Sequence, residues 1–333
     1  MEAKIAIEEH FSTELNNRLW DAKGEEGRNG MAYSRDIEAR LIDPGRFLTD
    51  MDWYGVERVI LSLTSPGVQG VADRKVASEL ARDSNDHLAR VIAKHPGRFS
   101  GFAAVALQDP KAAANELERC VHGLGFQGAL VNGYSNVGPG EVVQYLDEEP
   151  VEEFWERAAA LGVPVYLHPR EPLESQRRVY QGYPELIGSA WGFGWETASH
   201  AVRLILGGVF DRHPTLQVVL GHLGDGLPFL APRLQHRIDE QRDGERGSKA
   251  RRRVDHYLRA NFHYTTSGRF HTQQLLDVIA TVGVDRVLFS CDYPYEQLKD
   301  AAQWFDELAL DADQKERIGR GNAARLFHLE PTE

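Results

Sequence analysis

The chain has 333 residues, of which 42% are hydrophobic and 26% charged, fractions that are ordinary for a globular protein with a full core. Its formal net charge of -12 disfavours binding to nucleic acid and to anionic membranes, since both carry negative charge. No apolar run approaches the roughly 18 residues that span a bilayer. The two cysteines and the absence of a signal-peptide pattern predict a cytoplasmic protein.

Short apolar runs alternate along the chain with longer amphipathic stretches. The runs are continuous and often β-branched, which is typical of strands buried on both faces of a parallel sheet. Between them, apolar residues recur at helical spacing. The predicted strands cover residues 4–10, 58–65, 99–107, 128–132, 164–169, 216–222, 262–268 and 287–294, and the clearest predicted helices cover 73–95, 109–122, 151–161, 194–210, 271–282 and 300–309.

This order of elements indicates a fold class. Eight strands that alternate with helices predict an α/β protein, a (β/α)8 barrel of TIM type. An open doubly wound sheet is the alternative, but no GxGxxG motif follows the first strand. Because we see no linker or repeat, we expect one domain over residues 1–333 with loop insertions. The insertions are predicted at the irregular polar stretches 21–44 and 170–190 and at the charged run 239–253.

Four side chains of metal-ligating type lie at the ends of predicted strands. Glu8 and His10 end the first strand, His168 ends the fifth and Asp292 lies near the end of the eighth. Barrel active sites lie at the carboxyl ends of the strands. Side chains alternate along a strand, so Glu8 and His10 point to the same side. The pattern predicts a shell of two histidines and two carboxylates, which suits Zn²⁺ or Mn²⁺.

Each of these residues also has a purely structural interpretation. A lone strand histidine is more often a satisfied core residue, and Glu8 could pair with an arginine. Asp292 stands before Tyr293 and Pro294, where it could simply begin a turn. The coincidence of such residues at several strand ends favours a functional site.

A further histidine, His222, follows the sixth predicted strand within the glycine-rich segment GHLGDG at 221–226. Glycines let the backbone turn tightly beside a ligand. Asp225, three residues later, could bond one ring nitrogen and leave the other for substrate or a metal-bound water. The alternative is a glycine-rich turn with a capping aspartate. We therefore predict catalytic roles for His222 and Asp225.

Several motifs, in order along nearly the whole chain, resemble those of the metal-dependent aromatic acid decarboxylases of the amidohydrolase superfamily. The resemblance is greatest to the branches that act on γ-resorcylate (2,6-dihydroxybenzoate) and on 2,3-dihydroxybenzoate. It extends from about residue 4 to residue 328, which makes it more specific than any single motif. The motifs are IEEHF at 7–11, LSLTSPGVQ at 61–69, LQDP at 107–110, GALVNG at 128–133, YLHPR at 166–170, GHLGDGLP at 221–228, TTSG at 265–268 and FSCDYPYE at 289–296.

The resemblance implies roles for individual residues. It identifies the four predicted metal ligands and His222 with the family's ligands and active-site histidine. It adds a substrate-contacting arginine, Arg233, which a neighbouring subunit can supply, and pocket positions at Asn132 and Tyr295. The sequence departs from the family pattern at three positions: Asp225 stands where glutamate is expected, Tyr295 where phenylalanine is usual, and Cys291 where threonine is usual.

The activity that the resemblance implies is decarboxylation of an ortho-hydroxylated benzoic acid, with release of CO2 and a phenol. Strand four ends without a bridging lysine, so we expect one divalent ion, Zn²⁺ or Mn²⁺. The metal would chelate the carboxylate and ortho hydroxyl, and Asp292, with a raised pKa, would protonate the ring. The family also implies a homo-oligomer, a tetramer built as a dimer of dimers.

Two other functions remain open from the sequence. The same metal shell could activate water to hydrolyse a lactone or an amide. The barrel could instead be a non-catalytic binding protein, although such a protein would not need the full set of ligands.

Overall fold

The computed structural model describes residues 3–20, 29–241 and 247–330. Within this part of the chain, eight parallel strands surround a common interior, which confirms the predicted (β/α)8 barrel. Each predicted strand has a counterpart. The strands are β1 Lys4–Phe11, β2 Val56–Leu63, β3 in two pieces at Phe99–Gly101 and Ala103–Ala104, β4 Ala129–Asn132, β5 Val165–His168, β6 Val218–Leu220, β7 Phe262–Thr265 and β8 Val287–Leu288.

The strands pair in chain order and the ring closes between β1 and the segment after β8. The first piece of β3 pairs with β2 and the second with β4, so the interruption does not open the ring. At the closure, the His10 amide donates to the Tyr293 carbonyl at 2.8 Å, and the Asp292 amide donates to the Glu8 carbonyl at 3.0 Å. The closure therefore brings Asp292 beside Glu8 and His10.

Helices cover the outside of the barrel. Asp73 and Asp109 cap the starts of helices Arg74–Lys94 and Pro110–Leu124 by accepting from backbone amides. Gly125 and Gly162 end helices Pro110–Leu124 and Glu152–Leu161 with left-handed φ values of 71° and 66°. The helices are Glu14–Leu19, Met31–Ile42, Phe47–Tyr54, Arg74–Lys94, Pro110–Leu124, Glu152–Leu161, Gly192–Leu206, Val209–Arg212, Leu227–Glu240, Val254–Ala260, Thr272–Val282, Leu298–Glu307, Ala312–Glu316 and Asn322–Leu326.

Two apolar layers hold the barrel together. One lies between strands and helices. The other is inside the ring, where inward side chains such as Ile7, Phe102 and Tyr166 meet, together with Ala323 and Phe327 from the C-terminal segment. The interior is thus filled by side chains, as in other barrels of this type. Polar inward residues are left at the ends of the strands.

Three sequence predictions about local structure were wrong or incomplete. In stretch 21–44, residues 21–28 lie outside the described part of the chain, and in the remainder helix Met31–Ile42 forms and buries Ile37 and Leu41. Stretch 170–190 contains two short 3₁₀ segments, Glu174–Tyr180 and Pro184–Leu186. The charged run 239–253 begins inside a helix, and its residues 242–246 lie outside the described part. Among the described helices, none is both long and apolar enough to cross a membrane.

Candidate active site

The structure brings the four predicted metal ligands together at the carboxyl end of the barrel. Glu8, His10, His168 and Asp292 each offer one ligand atom, and these atoms all lie within 4.8 Å of one another. His10 Nε2 is 3.2 Å from Asp292 Oδ1, and His168 Nε2 is 3.5 Å from Glu8 Oε1. Residues separated by more than 280 positions in the sequence therefore form one compact cluster.

Hydrogen bonds orient the two imidazoles. His168 Nδ1 lies 3.0 Å from the Pro169 carbonyl oxygen, which can only accept, so Nδ1 carries the hydrogen. His10 Nδ1 lies 3.0 Å from Ser62 Oγ, whose own hydrogen can go to the Glu9 carbonyl at 3.3 Å. Both rings thus turn an Nε2 lone pair toward the cluster, as metal-binding histidines do.

Glu8 is held by one of its two carboxylate oxygens. Oε2 accepts hydrogen bonds from the hydroxyls of Tyr166 and Ser267 and from Thr265 Oγ1 at 3.0 Å. Oε1 has no hydrogen-bond partner among the described residues. The sequence motifs alone did not predict a role for these three hydroxyl residues. A signal was present for Tyr166, because it lies two residues before His168 on the same strand and so points to the same side.

The unsatisfied atoms of the cluster test whether a metal ion fits. Glu8 Oε1, His10 Nε2 and Asp292 Oδ1 are buried and lack hydrogen-bond partners among the described residues. Leaving such groups unpaired is costly, and two buried carboxylates also repel each other. A divalent cation would satisfy all of them, and a shell of two imidazoles and two carboxylates suits Zn²⁺ or Mn²⁺. The residues present therefore fit the expected ion.

His222 lies against the same cluster. Its Nε2 is 3.7 Å from Glu8 Oε1 and 3.6 Å from Asp292 Oδ2, and its Nδ1 is 3.5 Å from Asp225 Oδ1. His222, Leu223 and Asp225 have φ values of 53°, 55° and 51°, and Asp292 has 81°. Left-handed backbone at such residues costs about 1–3 kcal/mol each and is concentrated at functional sites.

The charges of the site are set by mutual contacts. Burial lowers the pKa of His222, but the carboxylates of Glu8 and Asp225 outweigh it and hold that pKa well above 6.5. Burial raises the pKa of Asp292, but the nearby imidazoles of His10 and His222 outweigh it and hold that pKa below its ordinary value. The predicted raised pKa of Asp292 is therefore wrong. These directions favour a proton on His222 and a carboxylate at Asp292.

The residues predicted to contact substrate have different surroundings. Asn132 is buried at the end of β4, opposite His168 in the strand ladder, and its Oδ1 has no partner among the described residues. The Tyr295 ring lies 5.8 Å from the His10 ring, and its hydroxyl is 2.5 Å from Thr64 Oγ1. Arg233 is exposed on helix Leu227–Glu240, with no ion-pair partner in the described residues. Asn132 and Tyr295 thus lie beside the metal ligands, and Arg233 does not contact them within this chain.

Glu9 is a structural residue that the sequence analysis left without a role. Its carboxylate accepts hydrogen bonds from the Cys291 amide at 2.9 Å, the Tyr293 amide at 2.7 Å and Ser290 Oγ at 3.0 Å. Burial raises the pKa of Glu9 to about 8. It holds the backbone on both sides of Asp292 and so fixes the loop that carries this ligand.

Comparisons with known proteins agree with this geometry. Residues 35–329 match the model of the amidohydrolase family. The chain is 46% identical over 331 residues to a γ-resorcylate decarboxylase of Rhizobium radiobacter, covering 99% of both chains. It superposes on 2,6-dihydroxybenzoate decarboxylase complexed with 2,6-dihydroxybenzoate with a TM-score of 0.93, at 45% identity, covering 99% of this chain and 100% of the other. A Polaromonas dihydroxybenzoic acid decarboxylase with bound manganese and the inhibitor 2-nitroresorcinol gives 0.94 at 46% identity, covering 100% and 98%.

Proposed function

This chain belongs to the amidohydrolase family, and we propose that it catalyses the metal-dependent, non-oxidative decarboxylation of 2,6-dihydroxybenzoate to resorcinol and CO2. The observation that carries the proposal is the convergence of Glu8, His10, His168 and Asp292, with His222 against two of them. Full-length relatives that are 46% identical carry the γ-resorcylate decarboxylase name, which supports this substrate class.

We propose that these four residues hold one divalent ion. Manganese is the first candidate, because the Polaromonas relative contains it, and zinc also suits the ligands. When bound, the ion supplies positive charge that holds a substrate carboxylate and ortho hydroxyl in a fixed orientation. Three hydroxyls hold Glu8 Oε2, and Oε1, which has no hydrogen-bond partner among the described residues, would bind the ion.

The proposed proton path begins at His222. Its Nε2 lies 3.6 Å from Asp292 Oδ2, so a small movement would bring the two atoms within hydrogen-bond distance and let a proton pass from His222 to Asp292. Asp292 then delivers it to the ring carbon that bears the carboxylate, and a C–H bond forms there. When the bond to the carboxylate carbon breaks, its electron pair returns to the ring and CO2 leaves. Positioned acid catalysis of this kind contributes about 10²–10⁴-fold.

Asn132 and Tyr295 are proposed to line the substrate pocket. Asn132 Oδ1 is a buried acceptor without a partner in the described chain, so it can receive a hydrogen bond from a phenol of the substrate. The Tyr295 hydroxyl is 2.5 Å from Thr64 Oγ1 and adds a polar group that phenylalanine would lack. These two residues are the proposed determinants of which hydroxybenzoate fits.

We propose that the protein is a homotetramer in which Arg233 reaches the site of a neighbouring copy. Helix Leu227–Glu240, which carries Arg233, also exposes Phe229 by 84% and Leu230 by 44%. At the start of another helix, Gly192–Leu206, Trp191 and Trp195 are 59% and 58% exposed. Large exposed apolar side chains of this kind typically mark protein interfaces, so a second copy of the chain is the proposed partner for this surface.

The oligomer is tested by light scattering and by mixing two inactive variants. Coexpression of Arg233→Ala with His222→Asn should restore activity, since one chain supplies the arginine and the other the intact site. A monomeric mass, or inactive mixtures in which both chains are present, would contradict the arrangement.

We also propose a cytoplasmic location. Cys120 and Cys291 are both buried, unpaired thiols, as is usual for proteins of a reducing compartment. Fractionation of cells that express the natural gene would test this, and recovery of the protein outside the cytoplasm would contradict it.

The function is tested by following 2,6-dihydroxybenzoate by ultraviolet absorbance with the manganese-loaded protein while trapping CO2. Loss of substrate with one CO2 per molecule is the expected result, with 2,3-dihydroxybenzoate and salicylate as comparison substrates. Hydrolysis of a lactone or amide, without CO2 release from any hydroxybenzoate, would instead support a hydrolase that uses the same ligands.

A further inference from the structure

A cavity of about 720 Å³ opens at the opposite end of the barrel from the metal ligands. Its lining includes Pro164, Gln217 and Arg286, which directly precede β5, β6 and β8, and His263 near the start of β7. The cavity therefore lies at the amino ends of the strands. The proposed decarboxylation makes no use of it.

Arg286 and His263 are hydrogen-bonded to each other at this cavity, and one ring nitrogen of His263 is left without a partner among the described residues. Arg286 Nη1 donates to Gln217 Oε1 at 3.0 Å and to His263 Nε2 at 3.1 Å. Because arginine can only donate, His263 Nε2 is the acceptor and Nδ1 carries the hydrogen. His263 is only 7% exposed, and its Nδ1 has no partner among the described residues. Native proteins rarely leave such a donor unpaired.

Three arginines and two carboxylates line the cavity. Arg317 and Arg325 line it, and both reach Asp285, at 3.0 Å and 3.5 Å. Arg317 further pairs with Asp313 at 2.9 Å. Arg286, by contrast, makes no ion pair with any described carboxylate and donates to neutral acceptors. Because Arg286 is only half-buried and its Nη1 bonds to neutral groups, its positive charge is available to an anionic ligand.

We propose that this cavity binds a small oxyanion, a phosphate or carboxylate group carried by a metabolite. Arg286 would donate through the planar fork that matches such oxygens, and His263, which accepts from Arg286 at Nε2, would hold the guanidinium in place. Arg317 and Arg325 contribute positive charge at the same cavity. Carboxylates also line it, at Asp285 and Glu316, but Asp285 is already shared between Arg317 and Arg325.

Calorimetric titration of the metal-loaded protein with inorganic phosphate and, separately, with acetate tests the proposal, with sodium chloride as the ionic-strength control. We expect saturable binding that Arg286→Met weakens about 10-fold or more, the usual effect of losing a charged hydrogen bond. Arg90→Met is the matched control, because Arg90 is exposed on helix Arg74–Lys94. It should bind as the original protein does. Tighter binding of phosphate would identify a phosphate-bearing ligand, and tighter binding of acetate a carboxylate.

Two results would overturn the proposal. One is the absence of saturable binding of either anion. The other is binding that Arg286→Met leaves unchanged, which would place the anion elsewhere, for example at the catalytic ligands. If Arg286→Met does not fold, Arg325→Met provides the test, because Arg325 is exposed at the rim and contributes charge. Its affinity for the tighter-binding anion should fall severalfold, and an unchanged affinity would be evidence against the site.

Discussion

His222 Nε2 lies 3.6 Å from Asp292 Oδ2, so an imidazole and a carboxyl group face each other in the same buried site. Nearby carboxylates hold the pKa of His222 well above 6.5, and His10 and His222 hold the pKa of Asp292 below its ordinary value. The ring proton therefore originates on the imidazole in the proposed reaction, and Asp292 passes it on.

Replacing His222 with asparagine should lower kcat for 2,6-dihydroxybenzoate by about 10²–10⁴-fold, the usual loss when a positioned acid is removed. Manganese content should remain near that of the original protein, since the four ligands are unchanged. Steady-state kinetics with metal analysis checks both expectations. His122→Asn, on the exposed side of helix Pro110–Leu124, is the control. A His222→Asn variant with full activity would exclude this proton path.

Asp225→Asn should reduce kcat by about 10–100-fold, as loss of a residue that orients a catalytic group usually does. Asparagine tolerates the φ of 51° at this position, so the change removes charge without straining the backbone. Asp225→Glu keeps the carboxylate and should retain most of the activity. If both variants lose activity equally, the role of Asp225 lies in the shape of the turn and not in its charge.

Tyr166→Phe should weaken manganese binding by about 10–100-fold, because Glu8 Oε2 loses one of its three hydroxyl donors. Tyr264→Phe is a matched control, since Tyr264 is equally buried but donates to the Leu258 carbonyl. Competition with a metal chelator measures both affinities. Equal affinities for the two variants would mean that the hydroxyl does not support the ligand.

Stability should fall in acid partly because of His200, which is fully buried and accepts a hydrogen bond from the Leu146 amide at Nε2. Burial lowers the pKa of His200 to about 3 from 6.5. Between pH 3 and 6.5, His200 is therefore protonated in the unfolded chain and neutral in the folded chain. The contribution of neutral His200 to the free energy of unfolding is fully present above pH 6.5, and it falls by about 1.4 kcal/mol per pH unit as the pH decreases toward 3.

Urea unfolding at pH 7, 6 and 5 measures this effect. His200→Gln, whose amide oxygen can also accept from Leu146, should flatten the dependence of unfolding free energy on pH. His122→Gln, an exposed histidine, should leave the dependence as it is. An unchanged slope in His200→Gln would show that His200 does not titrate in this way.

The sequence predicted the barrel and the ligands because both follow from local patterns. Short apolar runs identify strands, and alternation along β1 places Glu8 and His10 on one side. What it did not predict depends on distant contacts. The segment after β8 leaves the ladder because Glu9 binds the amides of Cys291 and Tyr293, so the strand is shorter than expected.

The pKa of Asp292 illustrates the same limit. Its pKa is lowered by His10 and His222, which are far from it in the sequence, whereas burial alone would raise that pKa. Helix Met31–Ile42 was missed because only Ser34, Ile37 and Leu41 are buried on it, too few apolar positions to produce a clear period.

The central claim is that one divalent ion, held by Glu8, His10, His168 and Asp292, supports decarboxylation. The most direct test adds manganese stepwise to metal-stripped protein and measures bound manganese and CO2 released from carboxyl-labelled 2,6-dihydroxybenzoate. We predict that CO2 release rises in proportion to bound metal and reaches its maximum at one ion per chain. Release of CO2 that does not depend on bound metal, or the absence of release at full occupancy, would contradict the claim.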